Sequence, residues 1–283
     1  MGRRYRSNLI ALFGDPVDDN PTGVMMEAAF AALGMDYRYM TCLVKNGCLE
    51  DAVNGARAMG FCGMNFTMPH KTEAWKLMDE LSPAARIIGA INTCFSRNGK
   101  LVGDNTDGKG FISALEKDGV SALGKRIMIL GAGGAAKAIA VESALAGARE
   151  IVIANRTFSH AQSLAEVIEA NTGCKAEACQ GVPDMMIPGD IDVLVNATSI
   201  GLAPYDDEKP DLDYKSIVPS MVVCDVVFHP SDSLFLKMAR SRGAQTVDGL
   251  GMLVCQGALA FELWTGQKAP VMVMEKTLSA QLC

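Results

Sequence analysis

The chain has little of what metal centres, disulfide frameworks and nucleic-acid surfaces need. It contains only 3 histidines in 283 residues, none of them in an HExxH-like pattern, so no metal site is predicted. The 9 cysteines form no CxxC pair and lie mostly in apolar runs, which is typical of reduced, buried cysteines in the cytosol. Lys and Arg number 26 against 32 Asp and Glu, which argues against nucleic acid as a partner.

Long apolar runs are also missing. The apolar stretch after the basic N-terminus is short and meets Asp15, whereas a secretory signal needs a longer one. No run is long enough to span a bilayer. With 49% hydrophobic and 20% charged residues, the composition is that of an ordinary globular enzyme. We therefore expect a cytoplasmic protein with no membrane partner, either a monomer or a homodimer.

The first hundred residues alternate between short apolar strands and helical patterns. Strands are expected at 8–13, 37–43 and 62–66, with helices at 23–33 and 49–59. This alternation predicts a parallel or mostly parallel sheet covered by helices. The polar segments that follow, from Asn65 to Asp107, have loop-like sequence between apolar runs.

A second strand and helix series begins with the strand 126–130. We therefore predict an α/β protein of two domains with a cleft between them. The first domain, at 1–105, would bind the substrate, and the second, at 106–248, would be Rossmann-like and bind a dinucleotide. The C-terminal helices at 249–283 are expected to pack back on the first domain.

A glycine-rich turn joins the strand 126–130 to the following helix. It fits the pattern G-x-G-x-x-A, in which glycines let backbone N–H groups approach a pyrophosphate at a helix N-terminus. Such a turn can also be purely structural, but its strand–turn–helix context favours a dinucleotide site. The predicted cofactor-binding residues of the turn are Gly131, Ala132, Gly133, Gly134 and Ala135.

The end of the next strand indicates which dinucleotide is bound. It reads Asn155, Arg156, Thr157, whereas an NAD site normally carries an acidic residue there for the ribose 2′-hydroxyl. The guanidinium of Arg156 suits a 2′-phosphate instead, and its neighbours can add neutral hydrogen bonds. The alternative is a solvated arginine at a strand end. We expect NADP as the cofactor, with NAD still possible.

Lys71 and Asp107 each stand at the predicted start of a helix. Taken separately, they read as a surface lysine and a helix-capping aspartate. If they meet across a cleft, the aspartate can hold the ammonium while the lysine exchanges a proton with a substrate hydroxyl. Neutral polar side chains near strand ends favour this second interpretation and a polyhydroxylated ligand: Asn65, Thr67, Asn92 and Thr93.

Several segments, in this order and spacing, resemble the shikimate dehydrogenase family, including its quinate/shikimate branch: NFTMPHK, GAINT, GDNTDGKGF, GAGGAAKAI, NRT, NATSIGL and DGLGMLVCQGA. The resemblance implies NADPH-dependent reduction of 3-dehydroshikimate to shikimate, with Lys71 and Asp107 as the catalytic pair. It implies that Thr198, Gly249 and Met252 line the nicotinamide end of the cofactor. It also implies substrate contacts from Asn20, Thr22, Asn65, Thr67, Asn92 and Gln256.

The chain departs from the family pattern where a substrate carboxylate would bind. Asn20 and Thr22 occupy the positions of two serines, with Asp18 and Asp19 adding negative charge beside them, and Phe228 replaces a tyrosine. These changes leave quinate, an amino analogue or another shikimate-like acid open as the substrate. A third alternative is a non-catalytic sensor of the same ligands, because enzyme folds are reused in that way.

Overall fold

The computed structural model describes residues 5–282. The chain divides into two compact units, one formed by Met1–Thr106 with Gly257–Cys283 and the other by Asp107–Gln256. The chain returns from the second unit to the first between Gln256 and Gly257, within a helix. This boundary lies eight residues beyond the one predicted at 248 from the sequence. Each unit is built around its own six-stranded sheet.

The first unit begins with alternating strands and helices, close to the expected positions. Its sheet has the order β2-β1-β3-β5-β6-β4. The elements are β1 (Asn8–Gly14), α1 (Thr22–Ala32), β2 (Tyr37–Leu43), α2 (Leu49–Met59), β3 (Gly63–Phe66), α3 (Lys71–Lys76), β4 (Glu80–Leu81), α4 (Pro83–Ile88), β5 (Thr93–Arg97) and β6 (Lys100–Asp104).

The β5–β6 pair is an antiparallel hairpin inside an otherwise parallel sheet. Strand β1 pairs in parallel with β2 and β3, whereas β5 is antiparallel to β3 and to β6. Asn98 and Gly99 form the two-residue loop, with φ of 53° and 80°. Two positive φ values suit a type I′ turn, whose twist matches that of the strands. The expectation of loop-like sequence through Thr93 and Asp104 is therefore wrong, because both residues lie in strands.

The second unit has an all-parallel sheet in the order β12-β11-β10-β7-β8-β9. The strand order reverses beside β7, and ligands of such sheets bind outside the carboxyl ends at that point. Its elements are α5 (Thr106–Lys117), β7 (Arg126–Leu130), α6 (Gly134–Leu145), β8 (Glu150–Asn155), α7 (Phe158–Thr172), β9 (Lys175–Gln180), β10 (Val193–Asn196), a 3₁₀ turn (Tyr214–Ser216), β11 (Val222–Asp225), α8 (Leu234–Ser241) and β12 (Gln245–Val247).

Two helices complete the chain, α9 (Gly249–Thr265) and α10 (Val271–Leu282). The C-terminal half of α9 and the whole of α10 belong to the first unit. Phe261 stacks on Phe30 with ring centroids 5.2 Å apart, and the indole N–H of Trp264 donates to the Cys94 carbonyl at 3.0 Å. These contacts and the packing of α10 against α1 tie the end of the chain to the first sheet.

The described residues contain no helix that is long and apolar enough to cross a membrane. Within residues 5–282, no group of three or more His, Cys, Asp or Glu side chains is arranged to hold a metal ion. Of the cysteines in that range, Cys94, Cys174 and Cys224 are buried, while Cys48 is exposed. The expectation of mostly buried cysteines is therefore wrong, since the others are only partly buried.

Candidate functional site

Asn65 lies near the end of β3 and Thr67 directly follows that strand, beside the end of β1. The backbone N–H of Thr67 donates to the Phe13 carbonyl at 3.0 Å, so the chain continues alongside β1 after β3 ends. A Cβ at Gly14 would lie only 2.2 Å from the Thr67 Cγ2 atom. Glycine is thus required at position 14 by the close approach of Thr67.

Asn65, in β3, is held by hydrogen bonds at both ends of its amide. The Tyr39 hydroxyl donates to Asn65 Oδ1 at 2.8 Å, and Asn65 Nδ2 donates to the Asn92 carbonyl at 2.9 Å. Burial raises the pKa of the Tyr39 hydroxyl, which therefore remains a neutral donor. An amide nitrogen carries two N–H groups, and these hydrogen bonds use one of them; binding of a substrate hydroxyl by Asn65 stays a prediction.

Lys71 is the first residue of α3, as the sequence predicts. Its carbonyl accepts a hydrogen bond from the Ile91 N–H at 2.9 Å, which ties the segment before β5 to the lysine. The preceding residue, His70, is fully buried, and its Nε2 lies 2.6 Å from the Val44 carbonyl. Because a carbonyl only accepts, His70 Nε2 carries the proton. Both contacts fix the backbone that carries Lys71.

Asn92 has a structural role that the sequence does not reveal. Its Oδ1 accepts from the Thr106 backbone N–H at 2.7 Å, and its Nδ2 donates to the Thr106 hydroxyl at 2.9 Å. Asn92 therefore caps the start of α5, one residue before Asp107, which is buried. An acidic side chain is stabilised in the first turn of a helix by the helix dipole. Binding of a substrate hydroxyl by Asn92 stays a prediction.

The two residues expected at the carboxylate site lie at the start of α1. The Asn20 Oδ1 atom accepts from the Thr22 N–H at 3.0 Å, and Thr22 is buried. The amide N–H groups of Asn20 and the hydroxyl of Thr22 can donate to a ligand oxygen. Asp18 and Asp19 are exposed on the same loop, so the local charge near these donors is negative.

In the second unit, the glycine-rich turn leaves the N-terminus of α6 open. Gly131 has φ of 108°, and its added Cβ would lie 3.0 Å from the Thr198 Cγ2 atom. The backbone conformation and this contact within the protein therefore require glycine at position 131. At Gly133 and Gly134 an added Cβ would meet no atom within 4 Å, so the fold does not demand glycine there. Open space over free helix N–H groups fits a pyrophosphate.

The end of β8 presents Arg156 to solvent. Asn155 Nδ2 donates to the Thr157 carbonyl at 2.9 Å, and the Arg156 carbonyl accepts from Gln180 Nε2 at 2.5 Å. The turn is therefore fixed through its backbone, while the guanidinium of Arg156 is exposed and forms no ion pair within residues 5–282. Asn155 holds the turn as well as being a predicted cofactor contact.

The remaining predicted residues lie in the second unit, on or beside α9. Gln256 is buried, and its Nε2 donates to the Leu253 carbonyl at 2.9 Å. Gly249 begins the helix, and a Cβ there would lie 2.4 Å from the Val227 carbonyl oxygen. Met252 is half-buried in the first turn of the same helix.

Comparisons with known proteins agree with this arrangement. Residues 12–94 match the shikimate dehydrogenase substrate binding domain, residues 114–202 match shikimate/quinate 5-dehydrogenase, and residues 249–278 match the shikimate 5′-dehydrogenase C-terminal domain. A shikimate dehydrogenase (NADP⁺) of Desulforamulus reducens is 42% identical over 98% of this chain and 96% of its own. One from Methanopyrus kandleri is 44% identical with the same coverage.

The chain belongs to the shikimate dehydrogenase family. This confirms the resemblance seen in the motifs, the two-domain α/β fold and the expectation of an oxidoreductase that acts on a CH–OH group. A solved shikimate dehydrogenase in complex with NADP⁺ is 37% identical, with a TM-score of 0.91 over 98% of this chain and 96% of that one.

Another family relative has a different activity. The ligand-free 5-ketofructose reductase of a Gluconobacter strain is 45% identical, with a TM-score of 0.95 over 98% of this chain and 100% of that one. The family fold therefore accommodates more than one substrate, and membership does not select among them.

Sequence reasoning missed four residues that support the predicted ones: Tyr39, Asn196, Asp225 and Ser233. Tyr39 gave no signal, because its contact with Asn65 joins residues far apart in sequence. Asp225 did give a signal in the sequence, because it is a lone acidic residue at the end of an apolar strand. It is buried, and burial raises its pKa to about 6, which is a mark of functional as well as structural sites.

Proposed function

We propose that this protein is an NADP-dependent shikimate dehydrogenase that interconverts 3-dehydroshikimate and shikimate. The observation that supports the proposal is the backbone-fixed Lys71 at the start of α3, shortly after Asn65 and Thr67 along the chain. The first unit would bind the substrate and the second the cofactor, in the cytoplasm. The nicotinamide of the cofactor supplies or accepts the hydride.

The chain's own residues would handle the proton. When a ketone is reduced, negative charge develops on its oxygen and must be neutralised. The ammonium of Lys71 would donate a proton to that oxygen and take it back in the oxidation direction. The carboxylate of Asp107 would keep the lysine charged and oriented. Asn65 and Thr67 would hold ring hydroxyls, so that the reacting carbon is presented in one orientation.

Cofactor selectivity should depend on Arg156. Arg156→Ala is expected to raise the KM for NADP about tenfold or more and to leave that for NAD nearly unchanged, because one charge-assisted hydrogen bond contributes about 1.5–3 kcal/mol. Steady-state kinetics with both cofactors measure this. Arg149→Ala, at another exposed arginine of the same unit, is the control and should change neither KM. Equal losses with NADP and NAD in Arg156→Ala would show that Arg156 does not read the 2′-phosphate.

A second candidate function is the reduction of an uncharged polyhydroxy ketone such as 5-ketofructose. Two observations favour it. The 5-ketofructose reductase shares 45% of its sequence with this chain. In addition, Asp18 and Asp19 are exposed beside the donors of Asn20 and Thr22, and negative charge weakens the binding of a carboxylate.

A substrate panel separates the candidates. Shikimate, its uncharged methyl ester, quinate and an amino analogue are assayed in the oxidation direction with NADP⁺ and NAD⁺, and 3-dehydroshikimate and 5-ketofructose are assayed in the reduction direction with NADPH and NADH. In each direction shikimate or 3-dehydroshikimate should be preferred in kcat/KM by more than about a hundredfold, equivalent to roughly 2.7 kcal/mol of transition-state discrimination. Faster turnover of the ester and of 5-ketofructose would instead establish the neutral substrate class. Turnover of any of them would exclude the non-catalytic sensor.

A further inference from the structure

The side-chain amide of Asn65, which is 5% exposed, is held from two sides. Its Nδ2 donates to the Asn92 carbonyl at 2.9 Å, and its Oδ1 accepts from the Tyr39 hydroxyl at 2.8 Å. A carbonyl oxygen can only accept, so the contact with Asn92 requires the amide nitrogen on that side. Asn65 Oδ1 must therefore face Tyr39, and the hydroxyl of Tyr39 must donate to it.

The phenol of Tyr39 reaches Asn65 from the edge of the sheet. Tyr39 lies in β2 and Asn65 in β3, and β1 runs between these two strands. The contact therefore spans the width of a strand, and no pairing of adjacent strands produces it. Burial raises the pKa of the hydroxyl, so the phenol keeps the proton that it donates to Asn65.

Tyr39 itself is held in place although β2 is an edge strand. Edge strands leave outward N–H groups unpaired, but that of Tyr39 donates to the Glu27 carboxylate of α1. The ring centroid of Tyr39 lies 6.2 Å from that of Trp264. On α1, a Cβ at Gly23 would lie 3.4 Å from the Tyr39 Cδ1 atom. Backbone and ring are thus both supported, which makes Tyr39 a fixed donor.

Without the Tyr39 hydroxyl, the Asn65 amide would keep only its hydrogen bond to Asn92 and could turn about it. Oδ1 would become a buried acceptor without its donor, which is costly and favours other orientations of the amide. A side chain that spends only part of its time in the binding orientation binds a ligand correspondingly more weakly.

We propose that Tyr39 is a positioning residue for the substrate site, which acts through Asn65 and makes no contact of its own with the substrate. The inference rests on the proposed dehydrogenase function, in which Asn65 holds a ring hydroxyl. It adds that the edge strand of the first sheet contributes to substrate affinity through a single phenol.

A double-mutant cycle on shikimate oxidation with NADP⁺ tests this role. Tyr39→Phe removes only the hydroxyl, and Asn65→Leu replaces the amide by an apolar group of similar shape. Tyr39→Phe should raise the KM for shikimate about fivefold, the usual effect of one lost hydrogen bond, and change kcat by less than about twofold. In the Asn65→Leu background, the same substitution should leave KM unchanged, because the phenol acts only through the amide.

Two provisions keep the cycle measurable. Where turnover is too slow for a KM, the dissociation constant for shikimate is measured by calorimetric titration of the purified protein. If Asn65→Leu does not fold, Asn65→Ala takes its place in the cycle.

Tyr214→Phe is the matched control. Tyr214 is a buried tyrosine of the second unit, and its hydroxyl donates to the Pro210 carbonyl at 2.9 Å. Tyr39→Phe and Tyr214→Phe each remove one buried hydrogen bond and should each lower Tm. Only Tyr39→Phe should raise the KM for shikimate, whereas a merely structural role of Tyr39 would make the two variants alike.

An unchanged KM in Tyr39→Phe or in Asn65→Leu would overturn the inference alone. So would an equal rise in KM on Tyr39→Phe with and without Asn65→Leu, since the phenol would then act independently of the amide. An equal rise in Tyr214→Phe would reduce the effect of Tyr39 to general stability and overturn the inference as well. Absence of shikimate turnover by the unmodified, folded protein would overturn the proposed function together with the inference.

Discussion

Replacing Lys71 by methionine is expected to lower kcat with shikimate by about 10²- to 10⁴-fold, the usual contribution of a positioned acid–base group. Methionine keeps most of the length of the side chain but cannot carry a proton. The dissociation constant for NADP, measured by titration, should change little, because Lys71 lies in the first unit and the predicted cofactor residues lie in the second. Steady-state rates combined with this titration separate a chemical role from a binding role.

Lys76→Met is the matched control, because Lys76 is exposed in the same helix α3. It should retain the rate of the unmodified protein, which would show that the loss is specific to position 71. Full turnover by a folded Lys71→Met variant would remove Lys71 as the proton carrier.

Replacing Gly134 by valine is expected to weaken NADP binding by about a hundredfold or more, without loss of Tm. A Cβ at this position meets no atom within 4 Å, so we expect the fold to tolerate a side chain here, and valine has a higher helix propensity than glycine. The added methyl groups would instead occupy the space over the N-terminus of α6. Two charge-assisted hydrogen bonds lost there amount to roughly 3 kcal/mol or more.

Gly189→Val provides the control for Gly134→Val. Gly189 is an exposed residue of the same unit and also has open space around it, yet it lies outside the glycine-rich turn. This variant should change neither Tm nor the dissociation constant for NADP. If Gly134→Val binds NADP as tightly as Gly189→Val does, the pyrophosphate is not held at this helix.

The regular part of the fold could be predicted from the sequence because strand and helix periodicities are local. The strand at 37–43 and the helix at 49–59 have the expected bounds in the structure. The β5–β6 hairpin was missed although Asn98 and Gly99 are a strong turn signal. The polar residues Thr93 and Asp104 lie in its strands and interrupt the alternation of apolar and polar residues that predicts a strand.

The position of Lys71 in the fold was predictable from the sequence, but the hydrogen bonding around the candidate site was not. Lys71 stands at a helix start as expected, because the polar turn that precedes it is a local signal. The pairing of Asn92 with Thr106 and that of Asn196 with Asp225 depend on which strands lie side by side. No pattern along the chain encodes that neighbourhood, so these supporting residues appear only in three dimensions.

Hydride transfer between NADPH and a shikimate-like ketone can be followed with a deuterium label on the cofactor. The protein is incubated with 3-dehydroshikimate and NADPH that carries deuterium at the transferable position of the nicotinamide. The product is then examined by mass spectrometry and NMR. We expect shikimate with one deuterium on the carbon that bears the new hydroxyl. Unreacted 3-dehydroshikimate, in the presence of folded protein that binds NADPH, would contradict it.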